Sequence, residues 1–561
     1  MKKVLLSLLA VVLLAGSVAP CMAKDDAASN VAGKPVATIM IASYDRLMAD
    51  VALLGNLAGN PDLDKNIEGM LKLFTQGQGL AGLDQKRPWG VNLATDGLSF
   101  QPLVFIPVTN LKQLLESLAA LLGEPQDAGD GILEMEVFNQ RLLFKEVNGW
   151  AYISQSPEVL ATVPADPTKL LGGLDKTYDI AVRLHIQNIP EVYRTLAIDQ
   201  LRMGVETGLG RLPDETDEAF DARKKLADQQ LDAITGAIND IEQLTLGVAL
   251  DSTAKSGRLD LTVAAVADSP SGKQLAQLQS TTSDFAGFLL ADAAASLNVT
   301  AKLPKTDTEQ IVAGLTALRA RALQHIEGES QIVKDEASKK LAKEMVTEVF
   351  DTIQATFETG RIDAGATLSL GEKSMALAVG AFVTNPVALE DALKKLAKLG
   401  ASEPNFPGIK FDADKHGDIR FHTASIPVPQ DQEIAKVLGD KLDVAVGIGP
   451  KSVYLAVGNE NVKLLKKLID KSKADASKKQ PPVQLNVALA QIFQFAANLP
   501  GDRTEAKAMC DELAKSKGKD KVAVQLLPEK NAMTIRIDAQ EGVLRILANA
   551  AKGMTAGFGG P

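Results

Sequence analysis

Apolar and polar positions recur along this chain in one order, four times over: an apolar strand, helical material, two strands joined by a short polar turn, then an amphipathic helix. In the first segment residues 36–41 form the leading strand, and residues 89–94 pair with 98–108 across Thr95-Asp96-Gly97, where Asp-Gly is a strong hairpin signal. The helix over 111–122 follows, with Leu111, Leu114, Leu115, Leu118 and Leu122 on one face. The second segment leads with 180–184 and sets 244–250 against 259–266. The third leads with 296–299, pairs 362–370 with 375–383, and closes with a helix over 388–399. The fourth leads with 483–487, pairs 522–527 with 533–537, and closes with 542–550.

Strand-rich inserts separate the first from the second segment (132–153) and the third from the fourth (409–457). Each insert ends in a strand carrying a Tyr that runs into a short helix. The pattern therefore predicts an α+β fold of repeated strand–helix–β-hairpin–helix modules. These modules form antiparallel sheets covered by helices, in two similar halves over 35–285 and 290–550. Long helices are expected over 214–243 and 334–358, where apolar residues recur at helical spacing. Isolated hairpins cannot bury themselves, so these helices are expected to cover one face of each sheet. The Gly-rich end, residues 551–561, reads as a disordered tail.

The amino terminus departs from this pattern. Lys2 and Lys3 precede an almost unbroken apolar run to Leu14, and Cys21-Met22-Ala23 precedes Lys24-Asp25-Asp26. That order is what a signal peptidase reads, so residues 1–23 are expected to be removed and the mature chain exported to the periplasm or beyond. Pro20 beside Cys21 argues against lipidation at that thiol. Export would leave Cys510 alone, with no internal disulfide.

Charge narrows the partners. The chain carries 60 Lys+Arg and 70 Asp+Glu; loss of two lysines with the signal gives 58 − 70 = −12. No global basic field exists for nucleic acid. No apolar run outside the signal approaches the roughly 20 residues of a transmembrane helix.

Candidate chemistry is sparse. Gly77-Gln78-Gly79-Leu80-Ala81-Gly82 matches a dinucleotide fingerprint as a string, but it follows a helix and precedes a strand, the reverse of the required order. Ser252-Thr253-Ala254-Lys255 falls in a hairpin turn rather than at a helix start. Asp412, Asp414 and Asp418, with Gly417 between them, resemble the start of a calcium loop, although position twelve is Thr423 and His416 replaces an oxygen ligand. His416 and His422 could meet only if their hairpin folds them together. Cys510 sits in a helix with no His nearby in sequence. Five lysines accompany an apolar face over 462–473, which reads as a core-packed helix with a solvated side and alternatively as a membrane-surface helix.

Tyr152 to Glu158 and Tyr454 to Glu460 repeat at one spacing, and with the repeated hairpins the chain resembles uncharacterised secreted bacterial proteins. That resemblance implies no activity and no site residues. The leading expectation is a non-enzymatic envelope protein with a binding or scaffold role. The alternatives are a carrier of lipid in an apolar groove, a hydrolase assembled from distant residues, and a calcium-stabilised structural protein.

Overall fold

A computed structural model describes residues 33–557, apart from 138, 212–214, 216, 329–334, 373, 402–405, 429–438 and 500. The signal segment read in residues 1–23 lies outside the described residues. The chain is α+β and divides into two compact units. One is built from the residues up to Lys273, with Asn531–Met533 and the chain end from Ala548; the other from Gln274–Lys530 and Thr534–Leu547.

The first unit holds β1 (Lys34–Ile41), β2 (Trp89–Thr95), β3 (Phe100–Pro107), β4 (Gln126–Gly129), β5 (Ile132–Val137), β6 (Gln140–Val147), β7 (Trp150–Ser154), β8 (Ile180–His185), β9 (Ile241–Asp251) and β10 (Ser256–Ala265). These strands pair antiparallel with one another in the order β4-β5-β6-β7-β3-β2-β1-β8-β9-β10. The two leading strands are therefore neighbours: Ile39 of β1 lies opposite Val182 of β8 on one side and Val91 of β2 on the other. Asp96 closes the β2–β3 hairpin by accepting the backbone N–H groups of Leu98 and Ser99, each at 2.8 Å.

Helices α1 (Tyr44–Leu57), α2 (Leu63–Phe74), α3 (Leu111–Leu122), α4 (Pro157–Ala161), α5 (Glu191–Gly208) and α6 (Asp217–Asp240) connect these strands. The insert strands are buried on both faces, where cover on one face was expected. Leu143, Trp150 and Tyr152 pack beneath the short turns Pro167–Leu171 and Leu174–Lys176, while Leu142, Phe144 and Ala151 pack beneath α3. The physical reason is in β6, where Leu142-Leu143-Phe144 is an unbroken apolar run instead of an alternation, so both faces need cover. Gly90 allows one of these close approaches: a Cβ there would lie 2.1 Å from the Phe105 ring.

The second unit begins, after α7 (Pro270–Gln277), with β11 (Thr281–Thr282). It continues with β12 (Ala295–Lys302), α8 (Lys305–Glu327), α9 (Glu336–Glu358), β13 (Arg361–Gly371), β14 (Ser374–Phe382) and α10 (Pro386–Gly400). Then come β15 (Lys410–His416), β16 (Ile419–Pro427), β17 (Lys441–Ile448), β18 (Ser452–Gly458) and α11 (Asn461–Asp475). The chain continues through β19 (Lys479–Gln480), β20 (Val483–Ala488), α12 (Leu489–Asn498), α13 (Thr504–Ala514), β21 (Lys521–Glu529), β22 (Ala532–Ala539) and α14 (Glu541–Gly557).

Its main sheet runs β15-β16-β17-β18-β14-β13-β12-β20-β21, again antiparallel throughout. A backbone bond of 3.0 Å from Gln540 N–H to the Lys521 carbonyl ties the far end of β22 to the start of β21. Phe285, Phe288, Phe421 and Tyr454 form the core with Leu465, Leu468 and Ile469 of α11. The apolar side of the lysine-bearing helix is thus spent in the core. Helix α9 packs against both α8 and α10.

The Gly-rich end differs from expectation. Helix α14 runs on to Gly557, so residues 551–557 are helical; Ala551, Lys552, Met554 and Ala556 favour a helix enough to carry it past Gly553. Residues 558–561 lie outside the described residues.

Candidate functional site: an apolar cavity beneath α3

Helix α3 is anchored at its start. Asn110 caps it, its side chain accepting the Gln113 N–H at 2.9 Å, and Glu146 of β6 accepts the Leu111 N–H at 2.9 Å. Gly82, at φ 88°, lies so close beneath that a Cβ would fall 2.3 Å from the Asn110 carbonyl oxygen. At the other end Gly123 adopts φ 96° with open space around it. Burial follows this gradient: Leu111, Leu114 and Leu115 are buried, Leu118 and Leu122 only partly.

Between this helix and the sheet lies a cavity of about 120 Å³. The helix contributes all five leucines of its apolar face. The sheet contributes, among others, Trp89 and Val91 of β2, Val104 and Ile106 of β3, and Leu142 and Phe144 of β6, and Leu80 adds to the wall from the loop after α2. The lining is hydrocarbon and aromatic, with one polar group of note: the Trp89 indole Nε1, which is buried and has no partner among the described residues. The volume approaches that of the engineered apolar cavity of about 150 Å³ that stays dry and binds benzene. A ring, or the end of a chain, fits. Roughly five buried methylenes at about 0.8 kcal/mol each amount to about 4 kcal/mol, which corresponds to millimolar affinity. Tighter binding requires the ligand to cover Leu118 and Leu122 as well.

Titratable groups meet elsewhere in this unit. Arg46 of α1 pairs with the buried carboxylate of Asp179, which also accepts the Leu250 N–H at 2.6 Å. Burial, and then the charge of Asp179, push the neighbouring Asp50 up to about 7. The arrangement anchors α1 beside the start of β8.

The candidates from sequence fall as follows. Asp412 and Asp414 stand on β15 and Asp418 in the turn that follows. Asp412 faces Arg420 at 3.3 Å and Asp414 bonds Lys466 at 2.7 Å. Among the described residues no group of three or more His, Cys, Asp or Glu is arranged to hold a metal ion. His416 bonds Asp470 at 2.6 Å, while His422 is buried and points elsewhere, so their hairpin does not bring the two together. Ser252 and Lys255 lie in the β9–β10 turn. Gly77–Gly82 forms a loop after α2 in which Thr75 Oγ1 accepts the Gly79 N–H at 2.7 Å. Cys510 on α13 is unpaired, and burial, with Asp511 beside it, pushes its thiol up, away from the reactive thiolate. The leucines of α3 were visible in the sequence as a packing face; that β2, β3 and β6 stop short of filling the space beneath them was not.

The fold and site together define a two-unit α+β protein with an apolar cavity under one helix. No protein-family model and no curated protein matches the chain. Among solved structures, one described as "Structure of crystal form I of TP0453" is similar at 10% identity, over 49% of this chain and 99% of that one, with a TM-score of 0.19. A score that low does not establish a shared fold. No described helix is long and apolar enough to cross a membrane.

Proposed function

We propose that this is an exported, non-enzymatic binding protein of the cell envelope that holds an apolar ligand, a hydrocarbon ring or the end of an acyl chain, in the cavity beneath α3. The observation that carries this reading is the cavity itself: about 120 Å³ between a helix pinned at one end and a sheet whose facing residues are hydrocarbon. Close-packed interiors leave few such spaces, and an apolar one gains by taking up apolar matter. Trp89 lines it, so occupancy has a built-in reporter.

The experiment is native mass spectrometry of residues 24–561 from an exporting host, followed by titration of the delipidated protein with dodecane under Trp fluorescence. Extra mass extractable into organic solvent, and a Trp89 signal that saturates and is lost in Leu115→Phe, are expected. A bare mass with no fluorescence change sinks the reading.

The same proposal extends to architecture. Strands β1–β10 and the set β12–β18 with β20–β22 are two copies of one half, as the matching strand orders and the Tyr152 and Tyr454 positions on the last insert strands support. Each half pairs its two leading strands at the centre.

A further inference from the structure

Strands β8, β9 and β10 are covered on one face and open on the other, and the open face is the apolar one. On the covered face Ala181 and Asp260 are 1% exposed, and a Cβ at Gly247 would fall 2.5 Å from the Tyr178 ring. An antiparallel sheet with one face in water normally turns its polar side chains that way. Here the open face of β8 carries Ile180, Val182 and Leu184, which lie opposite Val248, Leu246 and Leu244 of β9. Ile180 and Leu246 are 47% and 45% exposed, and Val248 is 37% exposed, as is its neighbour Leu259 on β10. Scattered exposed apolar side chains are ordinary; a contiguous set on one face marks a binding surface.

The same face continues into the cavity beneath α3. Ile180 lies opposite Ile41 of β1, and Val182 lies opposite Ile39, whose other neighbour is Val91 of β2. Residues opposite one another in an antiparallel pair point to the same side. Ile41 and Val91 line the cavity. One hydrocarbon surface thus starts under α3 and runs over β1, β8, β9 and β10, where it opens to water. From β2 to β10 it crosses four strand spacings, about 19 Å, which is about the length of a sixteen-carbon chain.

The covered end decides what can lie there. A space of about 120 Å³ admits one hydrocarbon chain and excludes a helix or strand of another protein. A protein lying on the open strands would leave that space unfilled. We propose that the first unit binds a long unbranched acyl chain, its methyl end under α3 and its body across β1, β8 and β9. A polar head group under α3 would lose its water among hydrocarbon walls, so the head lies toward β10, on the open side. This deepens the reading of the cavity given above and rests on it.

The test is a chain-length series on the full mature chain. Straight-chain alcohols of six to sixteen carbons, kept below the concentrations at which they aggregate, are titrated by tryptophan fluorescence and by methyl NMR. On a face open on one side about half of each methylene is covered, so affinity is expected to rise about twofold per added carbon, up to about sixteen. The Leu246, Val248 and Leu259 methyl resonances are expected to move with the long alcohols and not with hexanol. Leu246→Glu, at a position open enough to take a charge, should bind hexanol as the parent does and lose the gain from longer chains. Leu98→Glu, in the β2–β3 turn and 91% exposed, should keep it. A plateau at about six carbons, or a full gain retained in Leu246→Glu, overturns the proposal and leaves the cavity reading standing. Absence of binding at every length sinks both. A ligand-free dimer in sedimentation that Leu246→Glu splits into monomers also overturns it, because a second copy then covers the face.

Discussion

The spaces beneath α3 and beneath α10 are made alike and finished differently. Each lies between a sheet and the helix that follows a hairpin, β2–β3 in one unit and β13–β14 in the other. Under α3 the facing strand offers Leu142 and Phe144, which close the space to about 120 Å³. Under α10 the facing strand offers His422 and Ala424, and about 410 Å³ is left. The first can select only by size, because hydrocarbon contacts are non-directional. The second has a buried imidazole beside it, closed off from the space and with Glu390 Oε1 3.8 Å from its Nε2, and it is wider, with Leu396 and Ile426 exposed at its rim.

The largest effect expected from breaking this contrast is on packing. Phe144→Ala, at a side chain 5% exposed, should cost about 3–5 kcal/mol in urea denaturation. Leu396→Ala at the rim of the other pocket, where the side chain is 42% exposed, should cost under about 1 kcal/mol. Both tryptophans, Trp89 and Trp150, belong to the first unit, so their fluorescence follows that unit. A cost at Leu396 equal to that at Phe144 would erase the distinction between sealed and open pockets.

Titration should separate the units next, with opposite signs. Asp50 holds its proton more tightly folded, with a pKa of about 7, than unfolded. Its contribution to the first unit is therefore full below about pH 4 and is lost as pH rises through 7. His422 is the reverse: burial lowers its pKa, so its contribution to the second unit is present above about pH 6.5 and is lost as pH falls. Comparing urea midpoints at pH 5 and pH 8, Asp50→Asn should remove a loss of first-unit stability at the higher pH. His422→Phe should remove a loss in the second unit at the lower pH, read from tyrosine and methyl NMR signals of that unit. An unchanged pH slope in either variant refutes the assignment for that group.

The smallest effect is expected at the acidic hairpin. Asp414 is paired with Lys466 at a partly exposed site, and such pairs are worth about 0–1 kcal/mol. Asp414→Ala should lower the melting temperature slightly, and equally with calcium or chelator. A loss confined to calcium would show that Asp412, Asp414 and Asp418 hold the ion.

Much of the fold was legible because it rests on local chemistry. The Asp-Gly turn at Asp96 and Gly97, the leucine face of α3, and the alternation in β12 and β20 each announce an element within a dozen residues. What remained hidden rests on pairing between distant segments. Nothing in residues 36–41 says that this strand lies between 89–95 and 180–185 rather than at an edge. Leu142 and Leu143 face opposite sides as any successive strand residues do, but only the attachment of β7 to β3 brings the cover that buries both sides.

By itself, then, the sequence determined the elements, their α+β alternation and the acidic balance of the chain, because hydrophobic period and turn chemistry act over a few residues. Tertiary structure decided where apolar surface is left uncovered and which polar atom is left unmet. His422 is one of four histidines in the chain, and no local pattern distinguishes it. Its character comes from a register break ten residues away at Asp412, which supplies the N–H for one ring nitrogen, and from α10, which shuts the other away from water. Burial and pairing are properties of neighbours brought together by the fold, and the order of residues alone does not contain them.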